Sequence, residues 1–582
     1  MRIEWDVPIQ MADGNILRAD VFRPEGEEPV PVILSHGPYG KWLHFEDGSP
    51  FPWSRLSEEH PTALARTSNR YQSWEIADPE AWVPDGFACV RVDSRGAGRS
   101  PGRLDPLSLQ EVRDLYTCIE WAGMQPWSNG RVGLSGISYY SMNQWQVAAQ
   151  RPPHLAAMCA WEGASDLYRD MYYHGGVRST FAQIWYEGRI QPRQHGLGAR
   201  GHRSRFTGDW VSGPETLPPE VLEAERVDLW TETGEHPMND DYWRARVPEL
   251  ERIEVPLLSA GNWGGMGLHL RGNVEGFARS GSRQKWLELH GRQHWTEYYT
   301  ERGFELQRQF FGHFLKGEPN GWDRRPPVLL RVRHPGERFV DREEQEWPLA
   351  RTRWTPMWLD PTTTALADTA PVEGPDTAVT FDPMGTGLTF LGKPLAAETE
   401  ITGPSVLRLW VSSASADADL FVVLRAFGPD LREVTFHGSN DPHTPLAHGW
   451  LRASRRHLDA GRSLSYRPFH THDRIEPLVP DRPYELQIEI WPTSVVLPAG
   501  WRIGLSIRGN DYVYPGADTQ AVPSTGIGAT AGTGFTGVGP FRHTSAADRP
   551  PSTFAAPVTL HWSSRMRPEL VLPVIPSPTT EN

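Results

Sequence analysis

The chain has 582 residues, and its 58 Lys+Arg against 72 Asp+Glu leave a net charge of −14. Hydrophobic residues at 38% and aromatics at 11% are enough to bury a large core, which excludes global disorder. Mild acidity over so long a chain argues against nucleic acid or an anionic membrane as the main partner. No apolar run approaches the roughly 18 residues of a membrane helix. Met1–Val7 carries Glu4 and Asp6 where a signal peptide would need an apolar stretch. Cys89, Cys118 and Cys159 sit in apolar contexts without disulfide or metal-ligand spacing. A soluble, reduced, cytoplasmic protein of about three or four domains is expected.

In chain order, Ile3–Gln10 and Ile16–Phe22 flank the turn Asp13-Gly14 and read as a hairpin. Val30–Leu34, Phe87–Val92, Arg131–Gly136 and Leu155–Ala160 read as short buried strands. Gln110–Trp121 repeats apolar residues at helical spacing, and Tyr139–Gln150 reads as a second helix. Strand–helix–strand units imply a mainly parallel sheet covered on both faces. From about 168 to 244 the chain turns charged and aromatic and reads as a helical insertion. Val255–Ala260 and Lys285–Leu289 then resume as strands, and Phe304–Leu315 is a helix closed by Lys316-Gly317. Beyond Pro326-Pro327, Val328–Val332, Leu388–Phe390, Ser405–Val411, Leu420–Phe427, Tyr484–Ile490 and Arg502–Ile507 are short strands between Gly, Pro and Asp turns. That pattern indicates an all-β sandwich. Ile575–Asn582 reads as a frayed tail.

Chemistry concentrates where Gly133-Leu134-Ser135-Gly136-Ile137-Ser138-Tyr139-Tyr140 joins a strand to a helix. A serine on so sharp a turn stands over the sheet edge, and the next backbone N–H can hold an oxyanion. Gly136 supplies the missing bulk before Ser138, but Tyr140 stands where a second glycine is usual. A plain helix cap is the bland alternative. Ser135 is a rival nucleophile, lying too early, inside the strand run.

Gly136–Ser141 with Asn143-Gln144-Trp145 resembles the elbow of the cocaine-esterase and X-prolyl dipeptidyl-peptidase family of acyl hydrolases. Pro38-Tyr39, Val92–Gly98, Glu120-Trp121 through Gly130, Ala164–Arg169 and His236-Pro237 through Trp243 are similar to the same family. Ser415–Leu420 and Gly449–Ala453 resemble its C-terminal jelly roll. The resemblance implies an α/β-hydrolase domain in two parts (1–167 and 245–322), a helical cap over 168–244 and a jelly roll over 323–575. It makes Ser138 the nucleophile. It selects His294 over His290, of Trp286-Leu-Glu-Leu-His290-Gly-Arg-Gln-His294, as the general base. It assigns the oxyanion hole to the Tyr39 hydroxyl and the Tyr139 N–H.

One position departs from the family. Its acid follows Gly-Trp-x, whereas Gly261-Asn262-Trp263-Gly264-Gly265 places Gly265 there. Neighbouring parallel strands end on one edge about 4.8 Å apart, and a right-handed crossover sets Leu155–Ala160 beside the nucleophile strand. The first carboxylate past that strand is Glu162, which could orient His294 while keeping the order Ser…Glu…His. Asp166, Glu275, Glu297 or no acid at all remain open.

The expected activity is serine hydrolysis of small acyl esters, and of amides as an extension, through an acyl-enzyme. No cofactor or metal is implied, and self-association is left open. An X-prolyl dipeptidyl-peptidase or amidase, and a non-catalytic binding protein on the same fold, are the alternatives. Gly96-Ala97-Gly98 with Gly102 has the wrong spacing for a dinucleotide loop. His470-Thr471-His472-Asp473 reads as a solvated loop rather than a metal site. Trp185, Tyr186, Trp210 and Trp230 either line a pocket or pack.

Overall fold

The computed structural model describes residues 1–370, 376–516 and 534–576; the end of the expected frayed tail, 577–582, lies outside them. The N-terminal half is built on one sheet. Its hairpin strands β1 (Arg2–Gln10) and β2 (Ile16–Arg23) are followed by β3 (Val30–Gly37), β4 (Ala88–Asp93), β5 (Ser128–Ile137) and β6 (Leu155–Trp161). A two-stranded ribbon, β7 (Tyr173–His174) and β8 (Val177–Arg178), stands apart. Then β9 (Leu257–Asn262), β10 (Lys285–His290), β11 (Val328–His334) and β12 (Arg338–Glu344) complete the series. Hydrogen bonding orders the strands β1-β2-β4-β3-β5-β6-β9-β10-β11-β12. Pairing is parallel from β4 through β11 and antiparallel at both ends.

Strand side chains alternate between two buried faces, which is why the strands read as unbroken apolar runs. Val32, Leu34, Val90, Val92 and Met158 enter one core with Val112, Leu115, Ile119 and Trp145. Ile33, Cys89, Ile137 and Cys159 enter the opposite core with Phe310 and Phe311. All three cysteines are free and buried. Helix α1 (Leu109–Gly123) starts at Ser108, whose side chain caps the Glu111 N–H. Helix α2 (Tyr139–Ala148) leaves directly from β5 and packs on β5 and β6.

The segment 168–244 is less helical than expected. Short turns, among them Phe181–Trp185, Pro219–Ala224, Leu229–Glu235 and Asp241–Arg246, surround the β7–β8 ribbon. Residues 45–82 hold four further short helices with no periodic sequence pattern. Helix α3 (Leu270–Arg279) follows β9, and α4 (Glu301–Phe311) runs into a wider turn ended by Gly317 at φ 74°.

The C-terminal strands, expected as a sandwich of separate sheets, close into a barrel. Arg353–Asp360, Glu569–Ile575, Thr399–Ser413, Tyr484–Leu497 and Ala447–Arg452 pair in succession. Asp419–Phe427, Arg502–Arg508, Leu388–Gly392 and Ala365–Ala367 continue the ladder back to Arg353–Asp360. Closure leaves no free edge in that ring. One parallel bridge, Arg333 to Val495, joins the barrel to the N-terminal sheet. No helix among the described residues is long and apolar enough to cross a membrane.

Candidate active site

Ser138 occupies the bend between β5 and α2 at φ 57°, ψ −112°, a region that L-residues enter only under constraint. Its N–H is held by the carbonyls of Trp161 and Glu162 at 3.0 and 3.1 Å. Gly136, at φ 153°, leaves room for this bend: a Cβ there would lie 2.4 Å from Tyr140 Cβ. Ser135 faces away, with its hydroxyl bonded to Tyr298 and Gln307 in the core.

The Ser138 hydroxyl lies 3.0 Å from Nε2 of His269. His269 precedes α3, in the loop after β9 that contains Gly265. This differs from the expected Ser138–His294 pair. His294 is at the same end of the sheet, but both its ring nitrogens are engaged elsewhere. Its Nδ1 meets Glu162 Oε2 and its Nε2 meets Glu75 Oε1, each at 2.8 Å. The two imidazoles stack with centroids 4.9 Å apart and planes 5° apart.

Glu162 is fully buried at φ 46° just past β6. Its carboxylate accepts from Asn262 (3.2 Å) and His290 (3.2 Å) on one oxygen and from His294 (2.8 Å) and Ser439 (3.1 Å) on the other. His269 Nδ1 stands 3.9 Å from that second oxygen and has no hydrogen-bond partner among the described residues. A Cβ on Gly265 would meet Ser439 Oγ at 3.4 Å, and one on Gly264 would sit 2.2 Å from Gly438 Cα. The barrel loop therefore presses on this turn, and Ser439 turns its hydroxyl to Glu162. Asp166 instead pairs with Arg169, Glu275 with Arg467, and Glu297 with Arg302 and Arg331. His290 lies between Glu288 and Glu162.

These contacts divide the protons. Burial alone would raise the Glu162 carboxyl, but His294 and His290 hold it well below the usual carboxylate range. Burial opposes charge on His294, yet Glu162 and Glu75 raise it to about 10. His290 is raised to about 9, burial being outweighed by Glu288 and Glu162. Burial lifts the Glu75 carboxyl, with His294 pulling the other way. His269 goes in the opposite direction: burial, then the neighbouring His294, push it well below 6.5. One imidazole is thus cationic and its stacked neighbour neutral.

Tyr39 closes the other side. Its hydroxyl accepts from Trp185 Nε1 at 3.0 Å, and burial followed by Glu75 raises its pKa, so it stays a protonated donor. Tyr139 is the first residue of α2, where a backbone N–H has no preceding turn to bond. Its own hydroxyl is turned away, toward Glu111 and the Leu107 N–H. Ser138, His269, His294, Tyr39, Glu75 and Trp185 face one cavity, which Asn440 and Phe541 from the C-terminal half help to wall.

Glu162, His269 and His294 bring ligand atoms within 4.8 Å of one another. Their rings are parallel, so the lone pairs do not converge, and His294 has no nitrogen to spare; the set does not suit a metal ion. The Gly96–Gly98 turn packs against Leu104 and Asp93 rather than opening a phosphate loop. His470 and His472, read as solvated, are buried, because Arg169 reaches the carbonyls of His470 and Thr471 and pins that loop. Sequence reasoning missed His269 and Glu75. His269 is the first titratable residue after Gly265, the position lacking its acid; Glu75 lies in a stretch without any pattern.

Residues 13–296 match the family model for X-Pro dipeptidyl-peptidase (S15 family). Residues 320–538 match that for the X-Pro dipeptidyl-peptidase C-terminal non-catalytic domain. The chain is 26% identical to cocaine esterase of Rhodococcus sp. (strain MB1 Bresler) over 87% of its length and 90% of the relative's. It is 24% identical to a putative serine esterase of Mycobacterium tuberculosis over 86% and 90%. A crystal structure of a CocE/NonD family hydrolase from Staphylococcus aureus superimposes with a TM-score of 0.83 at 30% identity, covering 98% of this chain and 94% of that one. With its elbow serine, its strand order and its closed C-terminal barrel, the chain belongs to the CocE/NonD family of hydrolases, which takes in esterases and peptidases.

Proposed function

We propose that this hydrolase is a serine esterase on an α/β-hydrolase domain, with Ser138 as nucleophile and His269 as its general base. The observation that carries the reading is the 3.0 Å contact between the Ser138 hydroxyl and His269 Nε2 at a strained strand–helix bend facing a cavity. A general base must be within hydrogen-bond reach and unprotonated. His269 meets both conditions, whereas His294 is held as a cation by two carboxylates.

Ser138 Oγ attacks the ester carbonyl carbon as its proton passes to His269 Nε2. The carbonyl oxygen becomes an oxyanion between the Tyr39 hydroxyl and the Tyr139 N–H. The C–O bond to the alcohol breaks, and the alcohol departs with the proton from His269. Water then attacks the acyl-Ser138 carbonyl, again giving its proton to His269, and collapse releases the acid and returns that proton to Ser138. Ionised Glu162, its nearer oxygen 3.9 Å from His269 Nδ1, is the counter-charge closest to His269. That carboxylate offsets part of the cost that burial and the stacked His294 place on the imidazolium formed there.

The X-prolyl dipeptidyl-peptidase reading has the family description behind it, but that chemistry needs an anionic pocket for a substrate α-ammonium. Glu75 is the one carboxylate among the described residues lining the cavity, and His294 takes one of its two oxygens. An esterase therefore fits better. The test is a fluorophosphonate probe with p-nitrophenyl esters and Xaa-Pro anilides run in parallel. Labelling and ester turnover that both vanish in Ser138→Ala support the proposal. Absence of labelling favours a binding protein, and faster anilide than ester turnover favours the peptidase.

A further inference from the structure

The cavity that receives the Ser138 hydroxyl has an unusual wall. Arg189 and Arg193, from the turn Tyr186–Arg193, both line it. Arg193 is 7% exposed, yet no carboxylate among the described residues lies within ion-pair distance of it. Among the described residues its side chain makes one hydrogen bond, to the Gly48 carbonyl at 3.2 Å. Arg189 bonds the same carbonyl at 2.7 Å and Ser49 Oγ at 2.9 Å, and lies over the Trp74 ring. Two guanidinium groups thus converge on one backbone oxygen. Lys41, also on the wall, is satisfied by Asp20 at 2.8 Å and Asp6 at 3.3 Å.

A guanidinium taken out of water without a counter-charge is costly. Burial, reinforced by Arg189, pushes Arg193 down to about 10, so it remains charged at neutral pH. A five-donor planar fork with one acceptor is suited to a bidentate carboxylate. Met142, Met171, Phe181, Leu268 and Phe541 add apolar surface to the same wall, which suits a short carbon chain between a reacting ester and a terminal charge.

We propose that Arg193, with Arg189 beside it, binds a carboxylate of the substrate, so that the preferred substrates are half-esters of short dicarboxylic acids. This rests on the serine-esterase reading above and names the substrate class of that same site.

The test uses the full-length protein with umbelliferyl half-esters of succinate, glutarate and adipate, each against the neutral ester of equal chain length. The expected result is a kcat/KM at least about tenfold higher for one or more half-esters. Arg193→Gln is expected to lower half-ester kcat/KM by about 10–100-fold more than that of the neutral ester, mostly through KM. Arg193→Lys should restore part of the difference. Thermal melts of each variant separate lost recognition from lost folding. Turnover of neutral esters with no half-ester preference at any length, or equal losses on both series in a folded Arg193→Gln protein, overturns the carboxylate site and leaves the esterase reading standing. No turnover of either series with Ser138 unreactive to fluorophosphonate overturns both.

Discussion

His269 and His294 stack face to face with centroids 4.9 Å apart, yet only His269 reaches the Ser138 hydroxyl. The two rings differ in charge because they differ in neighbours. Two carboxylate oxygens bracket His294 at 2.8 Å, while the carboxylate nearest His269 stands 3.9 Å off.

The pH profile should report that difference. Burial and His294 depress His269 well below 6.5, and only its neutral form accepts the serine proton. Activity is therefore expected to hold level down through pH 6.5 and to fall only at lower pH. Measuring kcat/KM for an uncharged ester from pH 4 to 9 checks this. An acid limb centred at or above 6.5 would assign the base to a less perturbed histidine.

Tyr39→Phe removes one proposed oxyanion donor and leaves the ring packed against Tyr139 and Tyr140. The expected loss is about 10²–10³ in kcat with KM little changed. Steady-state kinetics on a p-nitrophenyl ester, alongside a melting curve unchanged within a few degrees, would show it.

Stability should decline toward alkaline pH. His290 and His294 are raised to about 9 and about 10 in the folded protein, against about 6.5 unfolded. The native state then holds protons that the unfolded chain releases above 6.5. Their stabilisation is complete below 6.5 and is lost as pH rises through 9 and 10. Chemical denaturation at pH 6.5, 8 and 10 should give falling midpoints, and His290→Gln should flatten the slope.

Glu162→Gln takes the shared charge from four donors. Two buried imidazolium groups lose their common partner, and the cation forming on His269 loses its nearest carboxylate. A drop of about 10³ in kcat and about 3–5 kcal/mol in unfolding free energy is expected. Kinetics and denaturation on one preparation would measure both.

Much of the fold was legible because strands buried on both faces leave continuous apolar runs, as at Val30–Leu34 and Leu155–Ala160. The helices over 45–82 were not, since Pro50, Pro61 and Pro79 begin three of the four and aromatic packing rather than a periodic stripe holds them. At the candidate site, the bend that carries Ser138 was legible. Glu162 could be placed because neighbouring parallel strands end together, and the Glu162 N–H does bond Ala260 of the next strand. His269 escaped notice because its ring meets Ser138 through the path of the loop between β9 and α3, which the acid missing at Gly265 marks only indirectly. Barrel closure was illegible too, since it depends on long-range ladders such as Arg353–Asp360 with Glu569–Ile575.

The central claim is that His269 activates Ser138. The direct measurement is the rate at which a fluorophosphonate labels Ser138 in the wild type, His269→Gln and His294→Gln, followed by intact-protein mass spectrometry. A fall of about 10³ or more in folded His269→Gln, with folded His294→Gln within about tenfold of wild type, is the predicted result. Wild-type labelling in His269→Gln together with its loss in His294→Gln would contradict it.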